Sequence, residues 1–163
     1  MTLEPLLHAT IAIQIHVAAV IPAALLGAYL LLRPKGTPRH RLLGKIWLGL
    51  MVITALSSFF IHQITMFYGF SPIHLLSIFV LSGCWGAIVN ARNHNIDAHK
   101  RIVRGLYFGG IVGAGIFAFL PGRIMNAVAF GGDEIAPLVV VAAIVMVLLW
   151  LVSKEIWRRR GLT

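Results

Sequence analysis

Three histidines lie at the same depth within the apolar segments of this 163-residue chain. Each is 17 or 18 residues from the basic residue at the edge of its own segment, the pairs being His16 with Arg33, His62 with Lys45 and His74 with Arg92. At a helical rise of ~1.5 Å per residue, all three imidazoles lie ~25 Å from that edge. An ionisable side chain at such a depth in a membrane is costly, so we expect all three to face the interior of a helical bundle.

His16 and His74 are the candidate axial ligands of a b-type haem. They lie on the first and third predicted helices, which are diagonal in an antiparallel four-helix bundle. Two neutral imidazoles from opposite helices can complete the axial positions of haem iron. A zinc or copper site is the alternative, because the imidazoles of His16, His62 and His74 together suit either metal. A third interpretation needs no cofactor, and each imidazole then hydrogen-bonds to a neighbouring helix.

A second histidine pair, His40 and His99, lies beside the clustered cations. The pair is a candidate for the ligands of a second haem, and the neighbouring cations are candidates to hold its propionates. The alternative is that both motifs anchor the chain at the membrane interface, against anionic headgroups. Arg123 is the only cation predicted at the opposite face, where it suits an anionic group of a cofactor or quinone, or one of the nearby carboxylates Asp133 and Glu134.

The composition indicates an integral membrane protein. Hydrophobic residues make up 59% of the chain and charged residues 12%, with a mean hydropathy of +0.89. A soluble domain of this size cannot bury so much apolar surface. The net charge of +9 does not indicate nucleic-acid binding, because the cations cluster beside the apolar segments. Cys84 is the only cysteine, which excludes an intrachain disulfide.

Five apolar segments are predicted to be transmembrane helices, at about 9–32, 43–64, 72–91, 103–122 and 136–153. Each is long enough to cross a hydrocarbon core ~30 Å thick, and a helix satisfies its backbone polar groups internally. Of the 14 Lys and Arg residues, 13 lie on one side of this arrangement. The distribution predicts an outer N-terminus and an inner C-terminus, in a bacterial inner membrane.

The first four predicted helices form a two-helix unit that occurs twice, at about 9–64 and about 72–122. A shift of 59 residues superimposes four positions, namely Arg33 on Arg92, His40 on His99, Arg41 on Lys100 and Lys45 on Arg104. Alignment of His16 with His74 needs a one-residue gap. The repeat predicts a single all-α domain over 1–163, built as a pseudo-symmetric four-helix bundle with the fifth helix at its rim.

Four motifs between His40 and Gly132 resemble a bacterial membrane family, domain of unknown function 2306. The motifs are HRLLGK from His40, FSPIHLLS from Phe70, AHK from Ala98 with RGLY from Arg104, and FLPGR from Phe119. This family name implies a membrane protein and brings no activity with it. The alternating histidine pairs also resemble the two-haem transmembrane cytochromes b, which implies haem ligation by His16, His74, His40 and His99.

The sequence leads to a small b-type haem membrane protein that carries electrons between a quinol or other donor and a partner. The competing hypothesis is a cofactor-free accessory subunit that packs in a larger membrane complex. A larger membrane complex and a homo-oligomer are the candidate assemblies of the chain. The third hypothesis is a zinc or copper site at the three outer histidines. Besides these partners, the chain contacts the lipid bilayer and binds no nucleic acid.

Overall fold

A computed structural model describes residues 3–61, 72–142 and 146 of the chain, and these residues form helices, turns and loops without a β-strand. The α-helices are α1 (Glu4–Leu7), α2 (Ile11–Leu32), α3 (Pro38–Ser58), α4 (Pro72–Arg92), α5 (Ile96–Gly105), α6 (Ala114–Ala118) and α7 (Ile124–Phe130). A π-helical segment, Leu106–Gly113, joins α5 to α6 without a break. Residues 136–142 are also helical.

Four helices are long and apolar enough to cross a membrane: Ile11–Leu32, Pro38–Ser58, His74–Arg92 and Ile96–Ala118. They confirm the first four predicted spans and the all-helical class over the described residues. Most of the fifth predicted span, 136–153, lies outside those residues. The five-helix count, the single domain, the repeat symmetry and the direction of insertion stay predictions.

Local capping sets the starts of two spans and moves them from the predicted positions. α3 begins at Pro38 and not near 43, because the Thr37 hydroxyl accepts a hydrogen bond from the His40 N–H at 3.1 Å and proline suits the first helical position. α5 begins at Ile96 and not near 103, because the Asn95 side chain accepts from the Ala98 N–H at 3.3 Å. Both histidines at the basic end therefore lie inside helices.

The chain folds as two compact units, the first of which is residues 7–114. Within it, α2 packs against α3 and the π segment, and α4 also packs against α3 and the π segment. The four helices therefore close a ring in which α2 lies opposite α4 and α3 lies opposite the helix that contains α5. This arrangement is the four-helix bundle that places the two histidine pairs on opposite helices.

The centre of this bundle is tightly packed. Trp47 is 2% exposed and Leu106 is fully buried, and both belong to the apolar core with Ala23, Leu30, Met51, Ala55, Val80, Cys84 and Ile111. The Trp47 indole N–H donates to the Ala23 carbonyl at 3.0 Å, and the Tyr107 hydroxyl donates to the Ala24 carbonyl at 3.2 Å. Because both rings lie against α2, they hold α3 and the π segment to that helix.

The second unit contains the remaining described residues, 3–6, 115–142 and 146. Its centre is Asn126 of α7, which is 1% exposed and donates through Nδ2 to the Asp133 carbonyl at 2.9 Å and the Phe119 carbonyl at 3.4 Å. Gly131 ends α7 in the left-handed conformation, at φ 66°. The sequence predicted neither this short helix nor an end to the preceding span at Ala118.

Candidate functional site: two levels of histidines

His16 is held against the C-terminal end of α3, and we call this level of the bundle, away from the basic residues, the outer level. Its Nδ1 atom lies 2.9 Å from the Thr54 carbonyl oxygen and 3.2 Å from the Ser57 hydroxyl. A carbonyl oxygen only accepts, so Nδ1–H is the donor, and the neutral imidazole carries its lone pair on Nε2. His16 lies on the side of α2 that faces the bundle, together with Ala23 and Gly27, which follow it at i+7 and i+11. The prediction that this histidine faces the bundle interior agrees with that placement.

His74 contacts the same end of α3 from the opposite helix. It is 7% exposed, its Nε2 atom lies 3.4 Å from the Phe59 carbonyl oxygen, and its ring centroid lies 5.6 Å from that of Phe59. One turn further along α4, the Ser77 hydroxyl lies 2.5 Å from the Ser58 hydroxyl. Ser58 also donates to the Ala55 carbonyl, and either hydroxyl can be the donor in its contact with Ser77. This polar contact joins α3 to α4 at the outer histidine level.

His99 and His40 form the inner level. The Nδ1 atom of His99 lies 2.9 Å from the Ala87 carbonyl oxygen, so it donates its proton there and leaves the Nε2 lone pair for another partner. His40 is close enough to His99 to interact with it electrostatically. The structure therefore brings together the two residues that the sequence paired by their 59-residue shift.

Each histidine level contains one buried polar atom without a partner. Over the described residues these are Nδ1 of His40 at the inner level and Oγ1 of Thr54 at the outer level. Thr54 is the residue whose carbonyl accepts from His16. Buried polar atoms in folded proteins are nearly always matched by a donor, an acceptor, a water molecule or an ion, so both atoms are candidate contacts of a further group.

The inner level has one imidazole oriented by a backbone carbonyl, that of His99, and one unmatched buried nitrogen, Nδ1 of His40. Ligating histidines commonly donate their other ring N–H to a carbonyl in this way. At the outer level, His16 meets the same requirement. His74 differs from it, because the carbonyl partner of His74, that of Phe59, faces Nε2 and not Nδ1.

Two predicted site residues lie away from these levels or outside the described residues. His62 lies outside the described residues, so the metal site of three histidines stays a prediction. Within the described residues, no group of three His, Cys, Asp or Glu side chains could hold a metal ion. Arg123 belongs to the second unit, where its guanidinium lies 4.6 Å from the centroid of the Phe117 ring. Within the described part of the chain it forms no ion pair, and the Asp133 carboxylate accepts instead from the N–H groups of Ile135 and Ala136.

Several residues that position the histidines had not been predicted. Thr54 and Ala87 contribute main-chain oxygens, which any residue type supplies, so the sequence contains no signal for them. Ser57 and Ser58 do have a signal, since two adjacent hydroxyls within an apolar helix indicate a polar contact with a neighbouring helix.

The chain matches one family model, over residues 13–157, and the family is described as a predicted membrane protein, DUF2306. No curated protein and no solved structure is significantly similar to the chain. The match agrees with the resemblance in the four sequence motifs. The family description names no activity.

Proposed function

We propose that this chain, which belongs to the DUF2306 family of predicted membrane proteins, binds b-type haem between opposite helices and carries electrons from a quinol or other donor to a partner. His40 with His99 would be the ligands at the inner level, and His16 with His74 at the outer level. Bound haem would supply reversible one-electron transfer at its iron.

The observation that carries the proposal is the position of the two unmatched buried atoms. Nδ1 of His40 and Oγ1 of Thr54 lie one at each histidine level. The centre of the bundle has no such atom over the described residues, because the polar groups of Trp47 and Tyr107 donate to carbonyls of α2. Unmatched polar atoms confined to the histidine levels support a bound group at those levels.

The protein residues have three tasks in this proposal. The carbonyls of Thr54 and Ala87 fix the tautomers of His16 and His99, with Nε2 as the lone-pair nitrogen. Opposite helices supply one imidazole each, which sets the distance between the ligands. The apolar core between the two levels excludes water, and low local polarity of this kind tunes the reduction potential of a bound haem.

The finer membrane assignments are part of the same proposal. Four spans cross the bilayer and a fifth, at about 136–153, completes an N-out, C-in arrangement in a bacterial inner membrane. The basic residues beside His40 and His99 then face the cytoplasm. A larger complex or a homo-oligomer remains the proposed setting for electron transfer, since a carrier needs a donor and an acceptor.

A reduced-minus-oxidised spectrum of the detergent-purified protein, expressed with ample haem precursor, tests the proposal. We expect sharp α and Soret bands. His99→Ala and His40→Ala should each remove the inner contribution, and His16→Ala and His74→Ala the outer one. His94→Ala is the matched control, because His94 lies exposed in the loop between α4 and α5, and it should leave the spectrum unchanged.

A flat spectrum from folded protein would refute the haem proposal. Elemental analysis of the same sample then separates the other two hypotheses. Stoichiometric zinc or copper that is lost in His16→Ala supports the metal site at His16, His62 and His74. Absence of both haem and metal supports the cofactor-free subunit of a larger complex, and Arg123→Gln should then affect neither spectrum nor metal content.

A further inference from the structure

A cluster of cations lies on the exposed side of α5, one to five residues after His99. It lines a depression of about 480 Å³ together with one acidic residue, the four residues being Asp97, Lys100, Arg101 and Arg104. Lys100 is paired with Asp97 at 3.7 Å. Arg101 and Arg104 form no ion pair within the described part of the chain, so the depression has two uncompensated positive charges one helical turn apart.

An apolar groove of about 350 Å³ lies next to this depression, between α4 and the helix formed by α5 and the π segment. Arg101 lines both of them, so the depression and the groove lie side by side at this residue. The other residues of the groove are Phe79, Ser82, Gly83, Gly86, Ile102, Gly105 and Leu106. Gly105 leaves the groove open, since a Cβ atom built there meets nothing within 4 Å.

The direction of the groove follows from the helices that line it. Arg101 and Gly86 lie near the basic end of the bundle, and Phe79 and Leu106 lie further along their helices, toward the middle of the spans. A ligand in this site therefore has its anionic part at the membrane boundary and its apolar part in the hydrocarbon core. A phospholipid has this arrangement of charge and chain in a bilayer.

We infer that this face binds one anionic phospholipid, with its phosphate between Arg101 and Arg104 and an acyl chain along the groove between α4 and the π segment. Charge complementarity selects the anionic headgroup, because the fork of an arginine side chain matches two phosphate oxygens. The site contains none of the four proposed haem ligands, although its two arginines are also among the cations near His99 that are candidates to hold haem propionates.

Native mass spectrometry of the full-length protein in detergent tests this inference, with phosphatidylglycerol and phosphatidylcholine of identical acyl chains as probes. We expect phosphatidylglycerol to be retained and phosphatidylcholine not. Arg101→Gln and Arg104→Gln should each weaken its binding about fivefold, which corresponds to ~1 kcal/mol per cation near an anionic group. Arg39→Gln is the matched control, because Arg39 lies at the same basic end on α3 and outside the depression.

Two groove variants test the position of the acyl chain. Gly105→Leu and Ser82→Phe each add a larger side chain at an exposed position that lines the groove. Each should weaken phosphatidylglycerol binding. Because both positions are exposed, the thermal unfolding temperature should stay within a few degrees of that of the unsubstituted protein. A folded Ser82→Phe variant that binds as well as the original chain would overturn the inference. Equal retention of the two lipids would overturn it as well. So would displacement of phosphatidylglycerol by millimolar inorganic phosphate, because the site would then recognise a free anion and not a lipid.

Discussion

Gly27 allows α2 to pack against two aromatic rings, and its replacement by alanine should destabilise the bundle. A Cβ atom built at Gly27 lies 2.6 Å from Nε1 of Trp47 and 2.7 Å from Cδ2 of Tyr107. Neither ring moves freely, since Trp47 donates to the Ala23 carbonyl and Tyr107 donates to the Ala24 carbonyl. One added methyl group therefore displaces both rings and strains two interhelical hydrogen bonds.

The magnitude follows from three contributions. Overpacking of a well-packed core costs about 1–3 kcal/mol. Each interhelical hydrogen bond that is lost costs a further ~0.5–1.5 kcal/mol. Alanine returns up to ~1 kcal/mol through its higher helix propensity. With both hydrogen bonds lost, we therefore expect Gly27→Ala to lower the free energy of unfolding by about 1–5 kcal/mol.

The measurement is an SDS titration of the protein in mild detergent, followed by circular dichroism. Gly49→Ala is the matched control, because Gly49 lies on the exposed side of α3 and a Cβ atom there meets nothing within 4 Å. Its free energy of unfolding should stay equal or rise by up to ~1 kcal/mol. If Gly27→Ala is as stable as Gly49→Ala, the close approach of α2 to the two rings is wrong.

Three further predictions concern polar contacts. Ser58→Ala removes the hydroxyl that is hydrogen-bonded to Ser77 and should destabilise the bundle by about 0.5–1.5 kcal/mol in the same titration. An unchanged midpoint would contradict the contact between α3 and α4. Asn126→Ala removes two hydrogen bonds of a fully buried side-chain amide. Hydrogen exchange of the backbone amides between 119 and 133 should therefore accelerate by an amount equivalent to about 1–3 kcal/mol. Exchange in α2 and α3 should not change. Hydrogen bonds from the Ala136 and Ile135 N–H groups hold the pKa of Asp133 below its usual range. The stability that these hydrogen bonds to the Asp133 carboxylate contribute is therefore complete above the unfolded-state pKa of ~3.9, and it is lost as pH falls through the lower folded-state pKa. An NMR titration of the Ile135 amide measures this loss. Asp133→Asn is the control that should not depend on pH.

Hydropathy was sufficient to locate four of the spans, because a helix that crosses a membrane needs about 20 apolar residues. It did not locate their ends. Thr37 and Asn95 start their helices with side-chain caps among charged residues, where an apolar window has no signal. The π-helical segment was not predicted either, since its hydrogen-bonding pattern depends on tertiary packing of the glycine-rich stretch Leu106–Gly113.

The candidate histidines were predictable in part for a related reason. Depth in a helix is counted along the sequence, so spacing alone predicts the level of His16 and the pairing of His40 with His99. The orientation of each ring did not, because it depends on carbonyl groups of other helices. The Nε2 contact of His74 with the Phe59 carbonyl is the clearest example, since no spacing rule relates those two residues.

The spacing along α3 connects the packed centre of the bundle to both histidine levels. Trp47 lies seven residues after His40 and seven before Thr54, so the three side chains follow one face of the helix at two-turn intervals of ~10 Å. The middle residue of this face is fully buried and its indole is hydrogen-bonded, yet each end has an unmatched buried atom. If α3 were loosely packed along its whole length, a buried polar atom at its centre would lack a partner too. The missing hydrogen-bond partners are therefore a property of the two ends of the helix. The rise of α3 thus fixes the distance between the two levels along this face, and the buried ring of Trp47 fills the apolar core between His40 at one end and Thr54 at the other.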